Sequence, residues 1–366
     1  MRYALWLGVE NQRLDSWPAS YSYVCHAWAS RGHRAVARAI EYCMRRFPPE
    51  RIVCLTEETV ETLYLLGEQD RIVGVSGYAV RPPQVRREKP RVSAFTSADI
   101  PKILALAPDL VLAFSDMQAG IVADLARVGV AVHLFNQRDV AGILAMIRTV
   151  GALVDARDRA EALARGYEKR LSTVAERAQG RPRPRVYFEE WDEPLISGIG
   201  WVSELVRIAG GDDVFPELAR QPAAKDRIVT PEAVLAARPE VILASWCGKK
   251  VVASRIASRP GWSSMPAVAE GRIVEIKSPL ILQPGPAALT DGLDAILRAL
   301  AAPMNRPTAP ISVQSHTYGM GHDMLMSWPP LSGPRLPSGR TSEQAGRKVR
   351  MGSFGTLDGD QPAGTP

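Results

Sequence analysis

Histidine and cysteine are scarce in this chain of 366 residues, which contains five histidines and four cysteines. Between residues 51 and 302 the only histidine is His133, in the middle of a predicted buried strand. A histidine at such a position is more often a core residue whose hydrogen bonds are satisfied than a metal ligand. The cysteines are scattered without a CxxC pair, at Cys25, Cys43, Cys54 and Cys247. These scarcities argue against a histidine-built metal site, a zinc site and a disulfide framework.

Long apolar runs and nucleotide-binding motifs are also missing. No run of about 18 apolar residues occurs, so no membrane-spanning segment is predicted. Gly198 and Gly200 begin a G-x-G-x-x-G pattern, but position 203 is Ser, and neither a Walker A motif nor a G-x-S-x-G elbow is present. Residues 1–10 are too soon interrupted by Glu10 to form a convincing signal peptide, so the chain as written is expected to be non-secreted.

The net charge of +6 lies in the flanks of the chain. Residues 1–50 carry 7 basic and 4 acidic side chains, and residues 303–366 carry 6 and 4. The segment between them, 51–302, is almost balanced, with 32 basic and 31 acidic side chains. We therefore expect no nucleic-acid partner for the central part of the chain.

One stretch occurs twice, first at 99–115 and again at 230–246. The two copies read DIPKILALAPDLVLAFS and TPEAVLAARPEVILASW, so that Pro108 aligns with Pro239 and both end in an apolar run. Each copy predicts a short capped helix, a turn containing proline, and a strand buried on both faces. The repeat indicates two similar lobes.

Strands and helices alternate from residue 51 onward, which is typical of parallel sheets covered by helices. Residues 155–179 form an unbroken Ala/Glu/Arg/Leu stretch, long enough for about 37 Å of helix. We therefore predict an α/β fold of two Rossmann-like lobes joined by one long helix, although an ordinary packing helix is the alternative for 155–179.

The predicted boundaries are placed at shifts in composition. They are an N-terminal extension at 1–50, a first lobe at 51–152, a connecting helix at 153–180, a second lobe at 181–302 and a disordered tail at 303–366. Residues 1–50 differ in pattern from the alternating segment after them, and Met44, directly before the first strand, is an alternative start.

Aromatic side chains gather at the predicted strand ends, namely Tyr78, Phe95, Phe114, Trp191 and Trp246. In parallel α/β sheets, ligands lie outside the carboxyl ends of the strands. Two lobes facing each other there would form a cleft with aromatic walls and few charges, which suits a large, flat, mostly neutral ligand. Each aromatic taken alone is more often a core residue, so the prediction rests on their shared placement.

An enzyme is the alternative from another class. Cys247 precedes Lys249 and Lys250 and could be an activated thiol, but it has no histidine near it in sequence, which favours a passive cysteine. A cytosolic doubly wound enzyme could use Cys247 or the pair Glu57 and Glu58. A metal-cluster scaffold of two similar lobes is disfavoured by the absence of paired cysteines.

Five segments in combination resemble the cobalamin and iron-siderophore class of ABC-transporter substrate-binding proteins, most of all its vitamin B12-binding branch. They are GVSGYAVRPPQV, ILALAPDLVLAF, ISGIGWVSELVRIAGGDDVF, VLAARPEVILAS and LQPGPAALTDGLDAIL, within about 51–300. The resemblance implies a class III periplasmic-binding-protein fold, a corrinoid ligand between the lobes, no catalysis and no cofactor. It also implies a monomer in the periplasm or cell envelope, whereas the written start or Met44 would imply the cytoplasm.

Carried over by position, the resemblance places ligand contacts on Tyr78, Phe95, Phe114 and Trp191. Strand-end and helix-start positions add Trp246 and Gln283 to the candidate site. Members of the family dock on their permease through one acidic residue in each lobe. Glu232 matches the second of these, whereas the first falls on Pro101, with Asp99 two residues away, which makes docking to a standard permease an open question.

Two other ligands stay open within the same family. A ferric siderophore would require cations, which Arg81, Arg86 and Arg87 could supply. Haem would require a Tyr or His ligand to its iron, and Tyr78 is the candidate in the cleft.

Overall fold

The computed structural model describes residues 47–301, so most of the predicted N-terminal extension and tail lies outside the described residues. The first lobe is built on five parallel strands in the order β3-β2-β1-β4-β5. These strands are β1 (Ile52–Cys54), β2 (Ile72–Ser76), β3 (Arg91–Ser93), β4 (Leu110–Phe114) and β5 (Val132–Phe135). β1 and β4 lie side by side in the middle of the sheet and are wholly buried, as their continuous apolar sequences predict.

Helices connect the strands of the first lobe. They are α1 (Glu57–Leu65), α2 (Val85–Glu88), α3 (Ile100–Ala105), α4 (Ala119–Arg127) and α5 (Val140–Leu153), with short 3₁₀ turns at Gln69–Arg71 and Asp116–Gln118. α5 buries an apolar face and begins at Asp139, whose carboxylate accepts a hydrogen bond from the Gly142 backbone N–H. The alternation predicted from the sequence is confirmed in this lobe.

The long helix is α6 (Arg157–Ala178), whose 22 residues give a length of about 33 Å. It also packs closely against α5, because a Cβ placed on Gly151 would lie 2.2 Å from the Cβ of Ala160. α6 therefore follows the first lobe directly and shares that lobe's core, and the sheet of the second lobe begins after it.

The second sheet has the order β10-β9-β6-β7, with β8 pairing with the start of β6. Its strands are β6 (Arg185–Asp192), β7 (Leu195–Ser197), β8 (Asp212–Asp213), β9 (Val241–Ala244) and β10 (Ile273–Glu275). β7 runs antiparallel to β6, which corrects the prediction of a wholly parallel sheet. The chain reverses within Glu193 and Pro194, so Asp192 pairs with Leu195 in a tight hairpin.

The helices of the second lobe are mostly short. They are α7 (Gly200–Ile208), α8 (Pro216–Ala219), α9 (Pro231–Ala237), α10 (Ala253–Ala257), α11 (Pro266–Ala269), α12 (Ser278–Ile281) and α13 (Leu293–Ala301), with a π-helical turn at Ala288–Gly292 and 3₁₀ turns at Ala224–Arg227 and Trp262–Ser264. Among the residues described, no helix is both long and apolar enough to cross a membrane.

The internal repeat is confirmed in backbone detail. Asp99 caps α3 by accepting from the Lys102 backbone N–H at 2.9 Å, and Thr230 caps α9 by accepting from Ala233 at 3.1 Å. Ala107 and Arg238, at matching positions directly before the aligned prolines, both adopt a left-handed backbone, with φ of 44° and 46°. The two lobes therefore contain the same helix, turn and strand.

A continuous apolar core runs through both lobes, joining β1 and α5 to β6, α7 and α13. His133 lies outside this core. Its strand, β5, is at the edge of the first sheet, so His133 is half-buried and contacts Phe135 with 4.3 Å between ring centroids. The prediction of a buried strand was wrong here, because the sequence alone does not reveal that β5 is the last strand of its sheet.

Candidate functional site

The candidate site lies at the carboxyl ends of the strands, where each sheet reverses its order. In the first lobe this point is between β1 and β4, and in the second it is between β6 and β9. Helices that follow neighbouring strands leave on opposite faces at such a point and open a crevice for a ligand. Phe114 and Trp191 lie near the ends of β4 and β6, and Trp246 follows β9, whereas Tyr78 and Phe95 follow the neighbouring strands β2 and β3.

The loop after α12 in the second lobe lies directly on the first lobe. The Gln137 side-chain amide donates to the Pro284 carbonyl at 3.0 Å, and the Ala287 backbone N–H donates to Glu61 at 3.0 Å. A Cβ on Gly285 would lie 2.4 Å from the Cβ of Glu58. A cavity of about 10 Å³ remains there, lined by Glu57, Glu58, Glu61, Val80, Arg81, Pro279 and Gln283. Gln283 therefore lies where the two lobes meet.

Glu57 and Glu58 begin α1 and are 7% and 1% exposed. One oxygen of each carboxyl group has no hydrogen-bond partner, although the Thr56 hydroxyl donates to the other oxygen of Glu58 at 2.5 Å. Burial raises the pKa of Glu58 to about 7 and that of Glu57 well above its ordinary value, and each neighbouring acid adds to the effect.

The aromatics of the first lobe are unequally accessible. Tyr78 and Phe95 are half-buried, and the Tyr78 hydroxyl is buried without a hydrogen-bond partner. Burial raises the pKa of Tyr78, and Cys247 of the other lobe and Glu57 add to the shift. Phe114 is 5% exposed, and the Arg138 guanidinium lies 5.1 Å from the centre of its ring. Phe114 is therefore almost fully buried and belongs to the apolar core that runs through both lobes.

Gln118 holds the first-lobe segments together. Its buried side chain donates to the Phe95 carbonyl at 2.8 Å and accepts from the Phe114 N–H at 3.0 Å. Ser115 between them has φ of 68° and ψ of 163°, a strained backbone for a residue other than glycine. Strain of this kind is typical of binding and catalytic segments. Neither Gln118 nor Ser115 stands out in the sequence.

Trp246 requires a correction. It is 1% exposed, and its indole N–H donates to the buried Glu189 at 3.1 Å, so its ring belongs to the core of the second lobe and offers no surface to a ligand. Trp191 is half-buried, and its indole N–H donates to the Glu193 carbonyl at 2.9 Å. Lys249 lies 5.0 Å from each of these two rings and pairs with Asp192 at 2.8 Å.

Charged side chains of this region are largely paired. Arg227 is buried and donates to both oxygens of Glu190, at 2.6 and 2.9 Å. Arg81 pairs with Glu61 at 2.9 Å and with Asp291 at 2.8 Å. Sequence reasoning did not select Arg138, Glu190, Lys249 or Gln137. Gln137 and Arg138 directly follow β5, which was a usable signal, whereas Glu190 lies within β6 and Lys249 lies five residues after β9.

Cys247 follows β9 and is an exposed residue, but its thiol lies near Glu57 and Glu190. The protein atoms around the thiol partly displace water from it and raise its pKa to about 11, and these two acids contribute to the shift. A thiol with that pKa is almost fully protonated at neutral pH and is a poor nucleophile. In the described part of the chain, no three His, Cys, Asp or Glu side chains are grouped so as to hold a metal ion.

The predicted docking residues lie away from these contacts. Glu232 is exposed on the first turn of α9, and Pro101 is exposed at the equivalent place in α3. Asp99 is exposed too, and its carboxylate caps α3. Each lobe thus has an exposed acidic side chain at the start of its repeat helix. In the first lobe this is the helix cap Asp99, and in the second it is Glu232 in the first turn.

Known proteins show the same organisation. The chain is 26% identical over 205 residues to the vitamin B12-binding protein of Vibrio parahaemolyticus, covering 55% of this chain and 73% of that protein. The structure resembles the periplasmic vitamin B12-binding protein BtuF of Vibrio cholerae, with a TM-score of 0.57 and 25% identity over 70% of this chain and 98% of that one. It also shares the fold of the periplasmic haem-binding protein RhuT of Roseiflexus sp. RS-1, with a TM-score of 0.59 and 24% identity over 68% and 98% of the two chains.

The family model for periplasmic binding proteins matches residues 52–280, which include both sheets and the long helix between them. The two-lobed α/β architecture predicted from the repeat is the class III form of that fold. The chain therefore belongs to the periplasmic binding protein family, as a substrate-binding protein of the cobalamin and iron-siderophore class.

Proposed function

We propose that this protein binds cobalamin or a related corrinoid between its lobes and delivers it to the permease of an ABC-type importer. The observation that carries the proposal is that half-buried aromatic side chains lie at the carboxyl edges of both sheets, Tyr78 and Phe95 in one lobe and Trp191 in the other. Aromatic walls suit a broad ring system with a neutral rim. The similarity to vitamin B12-binding proteins supports the same ligand.

The remaining elements of the proposal depend on this function. The protein binds without catalysis or a cofactor, acts as a monomer, and works in the periplasm or cell envelope. Glu232 and Asp99 face the permease. The raised pKa of Cys247 supports a binding role over an enzyme that uses this thiol as a nucleophile.

Haem is the second candidate, because the Tyr78 hydroxyl lacks a partner and could ligate iron. The raised pKa of Tyr78 opposes this role, since an iron ligand of this kind is deprotonated. A ferric siderophore is less well supported, because Arg81 is already paired with two carboxylates.

Titration of the full chain with cyanocobalamin, dicyanocobinamide, haem and a ferric hydroxamate, monitored by tryptophan fluorescence and calorimetry, tests the proposal. We expect saturable one-to-one binding of the corrinoids. Trp191→Ala and Tyr78→Ala should each weaken it about tenfold or more, as loss of an aromatic contact does. The exposed Phe47→Ala is the control and should bind as the wild type does. A folded protein that binds haem alone would overturn the proposal.

A further inference from the structure

Two buried carboxyl groups are left incompletely paired at the base of the site. Glu57 and Glu58 are both more than nine-tenths buried, and one oxygen of each lacks a hydrogen-bond partner. Burial of a carboxyl oxygen without a partner is costly, and such groups in native proteins usually serve a function.

Two other acidic side chains that are largely shielded from water receive hydrogen bonds from the protein. Glu61 receives hydrogen bonds from Arg81 and from the Ala287 backbone. Glu189 receives them from Arg259 and from the Trp246 indole. The fold thus provides donors for these carboxylates, whereas one oxygen of Glu57 and one of Glu58 are left buried without a donor, beside a small cavity that residues of both lobes line.

The groups around the pair come from both lobes. Glu61 and the Thr56 hydroxyl lie beside it at the start of α1, and Arg86 of α2 and Arg81 are the cations of the first lobe near it. The Tyr78 hydroxyl and the Cys247 thiol are close to Glu57, and Gly285 packs on Glu58. Several donors therefore lie near the pair, yet one oxygen of each carboxyl group stays unpaired, and the cavity of about 10 Å³ has room for a group about the size of one water molecule.

We propose that Glu57 and Glu58 determine ligand specificity by accepting hydrogen bonds from N–H groups on the rim of the ligand, and that they thereby select primary amides over carboxylates. The inference rests on the proposed function, since it names the chemistry of the ligand that the cleft takes. A primary amide presents a narrow N–H₂ edge that fits the cavity and satisfies acceptors. A carboxylate at the same place offers no N–H donor and would repel Glu57 and Glu58 in their ionised form.

Proton linkage is a consequence of this arrangement. Hydrogen bonds from an amide favour the ionised form of a carboxyl group, so an amide-bearing ligand releases protons when it binds. Its affinity should then rise with pH from about 6 to 8, the range in which the pKa of Glu58, about 7, lies. A carboxylate-bearing ligand would take up protons, and its affinity would fall over the same range.

The test uses two corrinoids with the same ring. Dicyanocobinamide carries primary amides at the rim, and the heptacarboxylate of dicyanocobyrinic acid carries carboxylates there. The full chain is titrated with each by calorimetry at pH 6, 7 and 8, in two buffers of different ionisation enthalpy. The wild type should prefer the amide form by about 100-fold or more, because a site built to accept hydrogen bonds rejects a ligand that lacks the donors.

The variants Glu57→Gln and Glu58→Gln keep the shape of the side chains but cannot ionise. Each should weaken cobinamide binding about tenfold or more, reduce the preference for amides, and flatten the dependence of affinity on pH. Glu176→Gln, on an exposed face of α6, is the matched control and should change none of these. Thermal unfolding without ligand shows whether each variant is folded.

The outcomes separate the two proposals. If the wild type binds neither corrinoid, the proposed function fails and this inference fails with it. If the wild type binds cobinamide but does not prefer amides and releases no proton, the inference alone is overturned. The wild-type measurements decide this even if a variant does not fold.

Discussion

The contact between Gly285 and α1 allows a sharp test of how the lobes meet. In Gly285→Ala the added Cβ would lie 2.4 Å from the Cβ and 3.1 Å from the Cα of Glu58, whereas ordinary contact begins at 3.4 Å. The backbone of α1 and the loop must therefore move apart by about 1 Å, because the obstructing atoms belong to or adjoin a buried main chain. Overpacking of this kind costs about 1–3 kcal/mol.

The assay is thermal and urea unfolding of the full chain. For a protein of this size, about 2 kcal/mol lowers the melting temperature by about 5 °C. Gly166→Ala is the matched control, because nothing lies within 4 Å of the added Cβ in the middle of α6. That change should stabilise the protein by about 0.5–1 kcal/mol. If Gly285→Ala is as stable as the wild type, the loop does not rest on α1 as described and the reasoning is refuted.

Three further predictions concern buried charge and the thiol. Arg259→Leu leaves the fully buried Glu189 without its two guanidinium contacts, and should cost about 3–5 kcal/mol in urea unfolding, whereas Arg220→Leu at an exposed pair should change stability by less than about 1 kcal/mol. Glu58 keeps its proton to about pH 7 when folded but only to about 4.5 when unfolded, so it makes stability fall by up to about 3 kcal/mol as pH rises between these values. Glu58→Gln should flatten that part of the profile, and an unchanged slope would contradict the assignment. Cys247→Ser should leave corrinoid affinity within about twofold of the wild type, because the thiol is neutral at pH 7, and a collapse of function would favour chemistry at Cys247.

The fold was predictable because its signals are local and occur twice. Asp99 and Thr230 mark two helix starts, and each aligned proline marks the turn before a buried strand. The placement of β5 at the edge of its sheet and the antiparallel direction of β7 were not predictable in this way, since they depend on which strands become neighbours.

The site was only partly predictable, for a related reason. A strand end indicates where a side chain lies along the chain but not which way it points. Tyr78 follows β2 and Trp191 lies near the end of β6, and both keep partial exposure, whereas Trp246 follows β9 and turns into the core to donate to Glu189. An indole with a buried carboxylate within reach is stabilised there, and no local pattern indicates that Glu189 lies opposite.

The acidic start of α1 shows how burial changes the meaning of one pattern. Glu57 and Glu58 fit the rule that carboxylates favour the first turn of a helix, which contributes about 0.3–1 kcal/mol at an exposed end. Burial of a carboxyl group costs several kcal/mol unless donors replace water, so the helix dipole does not account for two of them here. The burial comes from the loop that donates from Ala287 to Glu61, 226 residues further along the chain. A pair of acids that the dipole alone would place on the surface is thereby held where the two lobes meet, and donors from the proposed ligand would offset the cost there.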